Sequence, residues 1–253
     1  MTGSPELTAA LEAASAAAVV IREAYARGVD VRFKSDATPV TEADVGAERA
    51  IRAVLAERFG TYAFYGEETG RHGEGDSLWL VDPIDGTKAF VRGYPMFSTQ
   101  IALMREGKLV LGVSSAPLYG ELAWAERGGG AWLNGRPLKV SATGSLEKAA
   151  LSTGNLKSLA RSPAWARFGA LVARLDRIRG YGDFLHYHLL AGGRIDAVLE
   201  SDVNILDIAA LVSIVEEAGG TFTTLDGGPV GLGTTSVLAS NSRLHGALRA
   251  ALG

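Results

Sequence analysis

Two carboxylates, Asp82 and Asp85, stand three residues apart where an apolar run ends, in the stretch Trp79-Leu80-Val81-Asp82-Pro83-Ile84-Asp85-Gly86-Thr87. The run reads as a buried strand that delivers Asp82 at its carboxyl end. Pro83 then stops the ladder, and Asp85 falls at the N-cap of a following helix, with Gly86 and Thr87 in its first turn. Carboxylates so spaced at such a break can face one cation, while the N–H groups of Gly86 and Thr87 can point at an anion. A hard divalent cation beside a phosphate-sized anion pocket is the equipment of metal-assisted phosphate chemistry. An isolated motif of this kind would more often be a pair of helix caps. A second acidic pair, Glu67-Glu68, and an acidic strand-to-helix junction at Asp207 tip the balance towards the cation.

These residues need regular elements to carry them. An Ala-rich amphipathic helix spans about residues 5–27, with Leu7, Leu11, Ala14, Ala18, Ile21 and Tyr25 along one face and Gly28 at its end. A short strand over 29–33 and a polar loop over 34–39 lead to Thr41, which caps a second helix over 42–59. Asp44 lies in its first turn, where the helix dipole favours a carboxylate, and taken alone it reads as part of the cap. A strand over 62–65 runs into Gly66-Glu67-Glu68, and residues 71–77 read as a flexible loop. Strands over 97–104, 109–115 and 121–126, joined by short turns, predict an antiparallel meander. The glycines 128–130 are turn punctuation, since no helix opens after them. From about Leu151 strands alternate with helices over 163–175, 183–190 and 207–218, the rhythm of an α/β lobe. The expectation is two lobes, residues 1–142 and 143–253, packed as one unit without a linker.

Composition narrows the function. With 47% hydrophobic residues in 253, the chain can bury a sizeable core. A formal charge of −3 supplies no basic field for direct nucleic-acid contact. The absence of cysteine excludes disulfides, thiol nucleophiles and thiolate metal sites. Charges interrupt the Ala-rich start and no apolar stretch is long enough to cross a bilayer, so a cytoplasmic protein with no membrane partner is expected. His186 and His188, two apart on a helix, cannot share a face and are not expected to form a metal pair; Trp79, Trp124 and Trp132 read as core aromatics.

Taken together, Gly66-Glu67-Glu68, Asp82-Pro83-Ile84-Asp85-Gly86-Thr87, and Asp207-Ile208-Ala209-Ala210 followed by Glu217-Ala218-Gly219-Gly220 resemble the inositol monophosphatase superfamily of magnesium-dependent, lithium-sensitive phosphatases. The resemblance spans nearly the whole chain. It implies an α/β (α+β) layered αβαβα sandwich of the inositol monophosphatase and fructose-1,6-bisphosphatase type, and a homodimer. It further implies magnesium as cofactor, roughly two or three ions per site with manganese as a substitute. Glu67, Asp82, the backbone carbonyl of Ile84, Asp85 and Asp207 match the family's magnesium ligands, and Glu67 also counts among its catalytic groups. Asp44 and Thr87 match the pair that orients the attacking water, with Lys34 in a nearby loop. Glu68 falls behind the ligands. Gly86 and Thr87 match the phosphate-binding positions. Glu200 matches the position that contacts substrate hydroxyl or amine groups, and Asp85 and Asp207 border the same substrate.

Two segments, Thr87-Lys88-Ala89-Phe90-Val91-Arg92-Gly93-Tyr94-Pro95 and Arg179-Gly180-Tyr181-Gly182-Asp183, look like the histidinol-phosphate phosphatase branch. Leu206 stands before Asp207, where inositol-type members usually show Trp. Asp183 and Glu200 suit an ammonium-bearing small phosphorylated substrate such as histidinol phosphate, although Asp183 equally reads as a helix N-cap. Inositol monophosphate is the alternative, followed by sugar phosphates and a phosphorylated adenine nucleotide. From a different class, members of this superfamily act as extragenic suppressors, in which the chain would be an interaction module retaining a phosphatase site.

Overall fold

The computed structural model describes residues 3–28, 31–33 and 39–253 of the chain. Helix α1 (Pro5–Arg27) is followed by two short antiparallel strands, β1 (Val31–Phe33) and β2 (Pro39–Thr41), and by α2 (Glu42–Phe59). Next come β3 (Ala63–Gly66), β4 (Gly70–His72), β5 (Ser77–Asp85), the short helix α3 (Thr87–Val91), β6 (Ser98–Arg105), β7 (Lys108–Ala116), β8 (Glu121–Glu126), β9 (Gly130–Leu133) and β10 (Arg136–Pro137). They form one sheet in the order β10-β9-β8-β7-β6-β5-β3-β4, antiparallel except for the β3–β5 pair. The expected meander is therefore present. The expected loop over 71–77 is in part strand, because β4 pairs back on β3.

The second sheet is built from β11 (Ala150–Thr153), β12 (Arg177–Arg179), β13 (Ala197–Ser201), β14 (Gly220–Thr224) and β15 (Ser236–Asn241). Its order is β12-β11-β13-β15-β14, with β11 parallel to both neighbours and β15 antiparallel to both of its own. Between these strands run α4 (Lys157–Ala160), α5 (Ala164–Val172), α6 (Asp183–Ala191) and α7 (Ile205–Glu217), and α8 (His245–Leu252) closes the chain.

Strand alternation stacks these elements into five layers. In β5 and β6, Trp79, Val81, Ile101 and Leu103 point to one side, where α1 and α2 cover them with Ala13, Ala17, Ile21, Ile51 and Leu55. Leu78, Leu80, Ala102 and Met104 point to the other side, onto α6 and α7. Helix α7 is apolar nearly all round, as an element between two sheets must be, while α6 also buries His186 and His188; the pair receives Val198, Phe222, Val237 and Ala239 of the second sheet. The far face of that sheet, with Leu151, Leu199 and Leu238, packs on α5 and α8 through Phe168, Leu171 and Leu248. The result is the αβαβα sandwich. Trp79 is a core residue, whereas Trp124 and Trp132 stack on each other half-buried, with ring centroids 5.7 Å apart. No helix among the described residues is long and apolar enough to cross a membrane.

Candidate metal centre and active site

Strand β5 does not stop at Pro83. It continues to Asp85 with a register shift between Asp82, opposite Gln100, and Asp85, opposite Ser98. Proline has no N–H to offer the ladder, and the irregularity falls where it stands. The Asp82 carboxylate stabilises the break by accepting from the Ile84 N–H at 3.0 Å. Asp85 is not the helix cap that its position suggested. Gly86 takes that role in the left-handed region at φ 93°, with no side-chain cap, and a Cβ there would lie 2.6 Å from the Met96 carbonyl oxygen. The Asp85 carboxylate is thus not committed to a cap and receives the Ser98 hydroxyl at 3.4 Å.

Asp207 comes from the far half of the chain, at the third residue of α7. Its two oxygens accept from the Asn204 N–H at 2.9 Å and the Asn204 side-chain amide at 2.6 Å, while Asn204 Oδ1 accepts from the Leu206 N–H at 2.7 Å. This reciprocal cap fixes the Asp207 carboxylate at the helix entrance. One oxygen from each of Asp82, Asp85 and Asp207 then lies within 4.8 Å of the others.

Asp44 repeats the device at the entrance of α2. Its Oδ2 accepts from the Thr41 N–H at 2.7 Å and the Thr41 hydroxyl at 2.6 Å, while Thr41 Oγ1 accepts from the Ala43 N–H at 3.2 Å. The capping reading is therefore correct, and the structure also brings Asp44 to Thr87, whose hydroxyl donates towards Asp44 Oδ1 at 3.3 Å and the Ile84 carbonyl at 3.0 Å. Glu67 follows β3, its N–H bonded to the Val81 carbonyl at 3.1 Å, and its charge acts on Asp82. Lys34 lies outside the described residues.

Charge crowding dominates this place. Burial first, then the charges of Glu67, Asp85 and Asp207, push the Asp82 carboxyl well above its ordinary range. Asp85 is pushed up in the same way by burial and by Asp183, Asp207, Glu200 and Glu67. Asp207 rises to about 7, chiefly by burial, against the lowering effect of the Asn204 bonds. Asp44 is raised by burial and by Glu67. Hard oxygen donors crowded together with mutual repulsion are the donor set of a divalent cation, so the residues fit such a group.

Asp183 and Glu200 belong to the same neighbourhood, since both act electrostatically on Asp85. Asp183 opens α6 at φ 45° without capping it; Gly182 is the cap, so the N-cap reading of Asp183 is incorrect. Its carboxyl rises to about 6 through burial and the Glu200 charge, opposed by His186. Glu200 is buried, with Oε2 accepting from the Tyr187 hydroxyl at 3.0 Å and Oε1 from the Asn155 N–H at 3.2 Å. His186 Nε2 stands 3.2 Å from Glu200 Oε2, while His188 faces Glu121, so the two histidines have separate partners.

Sequence reasoning missed Glu48, Tyr187 and Asn204. Glu48 sits one helical turn after Asp44 on α2, fully buried, and accepts from the Glu68 N–H at 2.8 Å and the Thr69 N–H at 3.0 Å. The signal was available: an acidic pair four apart among the buried alanines of one helix face. Glu68 serves this turn through its backbone.

A five-layer sandwich in which carboxylates from both halves of the chain converge beside a Thr–Asp pair is the arrangement of a metal-dependent phosphatase. The chain matches the inositol monophosphatase family over residues 4–253 and belongs to it. It is 42% identical over 236 residues to a histidinol-phosphatase of Mycobacterium tuberculosis, covering 86% of each chain. It is 36% identical over 228 residues to an inositol-1-monophosphatase of Rhizobium meliloti, covering 88% of this chain and 86% of that one. Among solved structures, the extragenic suppressor protein suhB of Bartonella henselae superposes with a TM-score of 0.90 at 32% identity, covering 98% of both chains. The chain is thus a phosphatase of this family acting on small phosphorylated substrates.

Proposed function

We propose that this phosphatase is magnesium-dependent and that its preferred substrate is histidinol phosphate, with inositol monophosphate the runner-up. Glu67, Asp82, the Ile84 carbonyl, Asp85 and Asp207 would hold the magnesium ions. When bound, magnesium supplies positive charge for the phosphoryl oxygens and acidifies a water ligand. The chain's own residues orient the reaction. Thr87 gives its hydroxyl hydrogen to Asp44 or to the Ile84 carbonyl, which leaves its lone pairs to accept from the attacking water. Asp44, buried and capped, holds that hydroxyl and takes up the charge of the proton passed towards it. Gly86 and Thr87, next in sequence to Asp85, are assigned to the phosphate through their N–H groups.

The observation that carries the substrate choice is the second acidic group. Asp183 and Glu200 act on Asp85 across the site, where an ammonium on the leaving alcohol would relieve their repulsion. An inositol offers only hydroxyls there. The identity to a histidinol-phosphatase supports the same choice. Phosphate release from a panel of histidinol phosphate, inositol monophosphates, sugar phosphates and phosphorylated adenine nucleotides tests it. The expected result is the highest kcat/KM with histidinol phosphate, and a clear preference for inositol phosphate reverses the assignment. The homodimer implied by the family stays a proposal, checked by sedimentation.

A further inference from the structure

A polar seam crosses the apolar interior between the eight-stranded sheet and α6. Gln100 lies opposite Asp82 on β5 and opposite Ser114 on β7, and Ser98 lies opposite Asp85. Ser98, Gln100 and Ser114 are all buried, as is His188 on α6. The Gln100 side-chain nitrogen donates to Ser98 Oγ at 2.7 Å and to Ser114 Oγ at 3.1 Å. Ser98 Oγ in turn reaches Asp85 Oδ2 at 3.4 Å. At the other end, Ser114 Oγ is 2.9 Å from His188 Nε2, and His188 Nδ1 is 2.7 Å from Glu121 Oε2.

The hydrogens along this path can be assigned one by one. Gln100 uses both amide hydrogens on the two serines, so each serine turns its own hydrogen away from Gln100. Ser98 directs its hydrogen to Asp85. Ser114 directs its hydrogen to His188 Nε2, which places the imidazole hydrogen on Nδ1, facing the Glu121 carboxylate. Gln100 Oε1 meets no donor among the described residues. Burying an unpaired oxygen is unfavourable, so Gln100 stands here at a cost to stability. The seam therefore calls for a role, and its inner end names one: it terminates on a carboxylate of the metal centre.

We infer that Gln100 is a positioning residue for the metal centre, orienting Asp85 through Ser98 and itself held in place by Ser114, His188 and Glu121. This rests on the reading of Asp85 as a cation ligand. Partners of this kind, one step removed from a ligand, orient it and alter metal affinity by roughly 10–100-fold when lost.

The test measures Mn²⁺ binding to the metal-free full chain by calorimetry, with kcat and KM at low and saturating metal alongside. Gln100→Leu and Ser98→Ala are each expected to weaken Mn²⁺ by about 10-fold. Each should lower kcat at limiting metal, recover it at saturating metal and leave the substrate KM unchanged. The double variant should be no weaker than the worse single variant, because both act on one path. Should Gln100→Leu fail to fold, Ser98→Ala, which removes both the bond onto Asp85 and the acceptor of the Gln100 amide and so cuts the path at its last step, decides alone. Asp85→Asn separates the ligand role of Asp85 from the positioning role of Gln100. If it binds Mn²⁺ like the parent, the ligand reading fails; if it loses binding while Gln100→Leu and Ser98→Ala do not, the positioning role is overturned. Additive losses in the double variant also overturn it.

Discussion

Gly112 in β7 and Ala210 in α7 meet backbone to backbone: a Cβ on Gly112 would come within 2.6 Å of the Ala210 Cα. This contact seats the helix that begins beside Asp207 on the sheet that carries Asp82 and Asp85. Gly112→Ala must lift α7 or deform β7. Overpacking of this kind costs about 1–3 kcal/mol, so denaturant unfolding should show a loss in that range. The same variant should need more magnesium for half-maximal activity. A variant with parental stability and metal response would show that the seating does not govern the centre.

Magnesium should raise the melting temperature. A ligand that binds only the folded state at about 100 times its Kd adds about 2.7 kcal/mol. Calorimetry in saturating magnesium and in EDTA gives the comparison. Identical melting curves would remove the cation from the proposed site.

Asp85→Asn should separate charge crowding from metal binding. It deletes one of several crowded, mutually repelling carboxylates, so the metal-free variant should be at least as stable as the metal-free parent. It should also lose the magnesium-induced rise in melting temperature and at least about 100-fold in kcat. A metal-free variant that melts lower yet still gains from magnesium contradicts both expectations.

Glu48→Ala should loosen the turn that presents Glu67. It removes the acceptor of the Glu68 and Thr69 N–H groups, and a buried donor left unpaired costs about 1–3 kcal/mol. Glu48→Gln keeps one acceptor oxygen and should fall between the parent and the alanine variant. Urea unfolding and magnesium titration of activity read the two effects, and an alanine variant equal to the parent in both would place the turn under other control.

Glu121 gives a pH dependence of known sign. The hydrogen bond from His188 holds its carboxyl below the ordinary glutamate range, against the raising effect of burial. A carboxyl lowered in the folded state contributes stability above its unfolded value, about 4.3, and loses it as pH falls through the folded value. Glu121→Gln should therefore be less stable than the parent at neutral pH, and the gap should close below about pH 4.3. A gap that widens on acidification would reverse the assignment.

Local features were legible in the residues themselves. A continuous apolar run marked β5, short turns separated β6, β7 and β8, Thr41 and Gly60 bounded α2, and the glycines between β8 and β9 marked turns. Pro83 misled because a proline at a bulge is tolerated while the strand continues beyond it. Asp85 and Asp183 misled because the glycines beside them, Gly86 and Gly182, supply backbone angles that make a side-chain cap unnecessary. Gln100 went unread because nothing within a few residues of it says what it will touch, and Glu48 because its spacing from Asp44 marked a shared helix face but not its partners in the Glu68 turn.

The sequence by itself determined the acidic residue types, their spacing around Pro83, and the Thr41 cap that holds Asp44 at a helix entrance, since those depend on backbone geometry over a few neighbours. The tertiary structure alone decided that Asp207 joins Asp82 and Asp85, that Asp183 and Glu200 share their field, and that a buried polar path ends on Asp85. Burial and convergence are properties of how layers stack. Only when α7 lies against β7 are these charges brought close enough, and far enough from water, to act on one another.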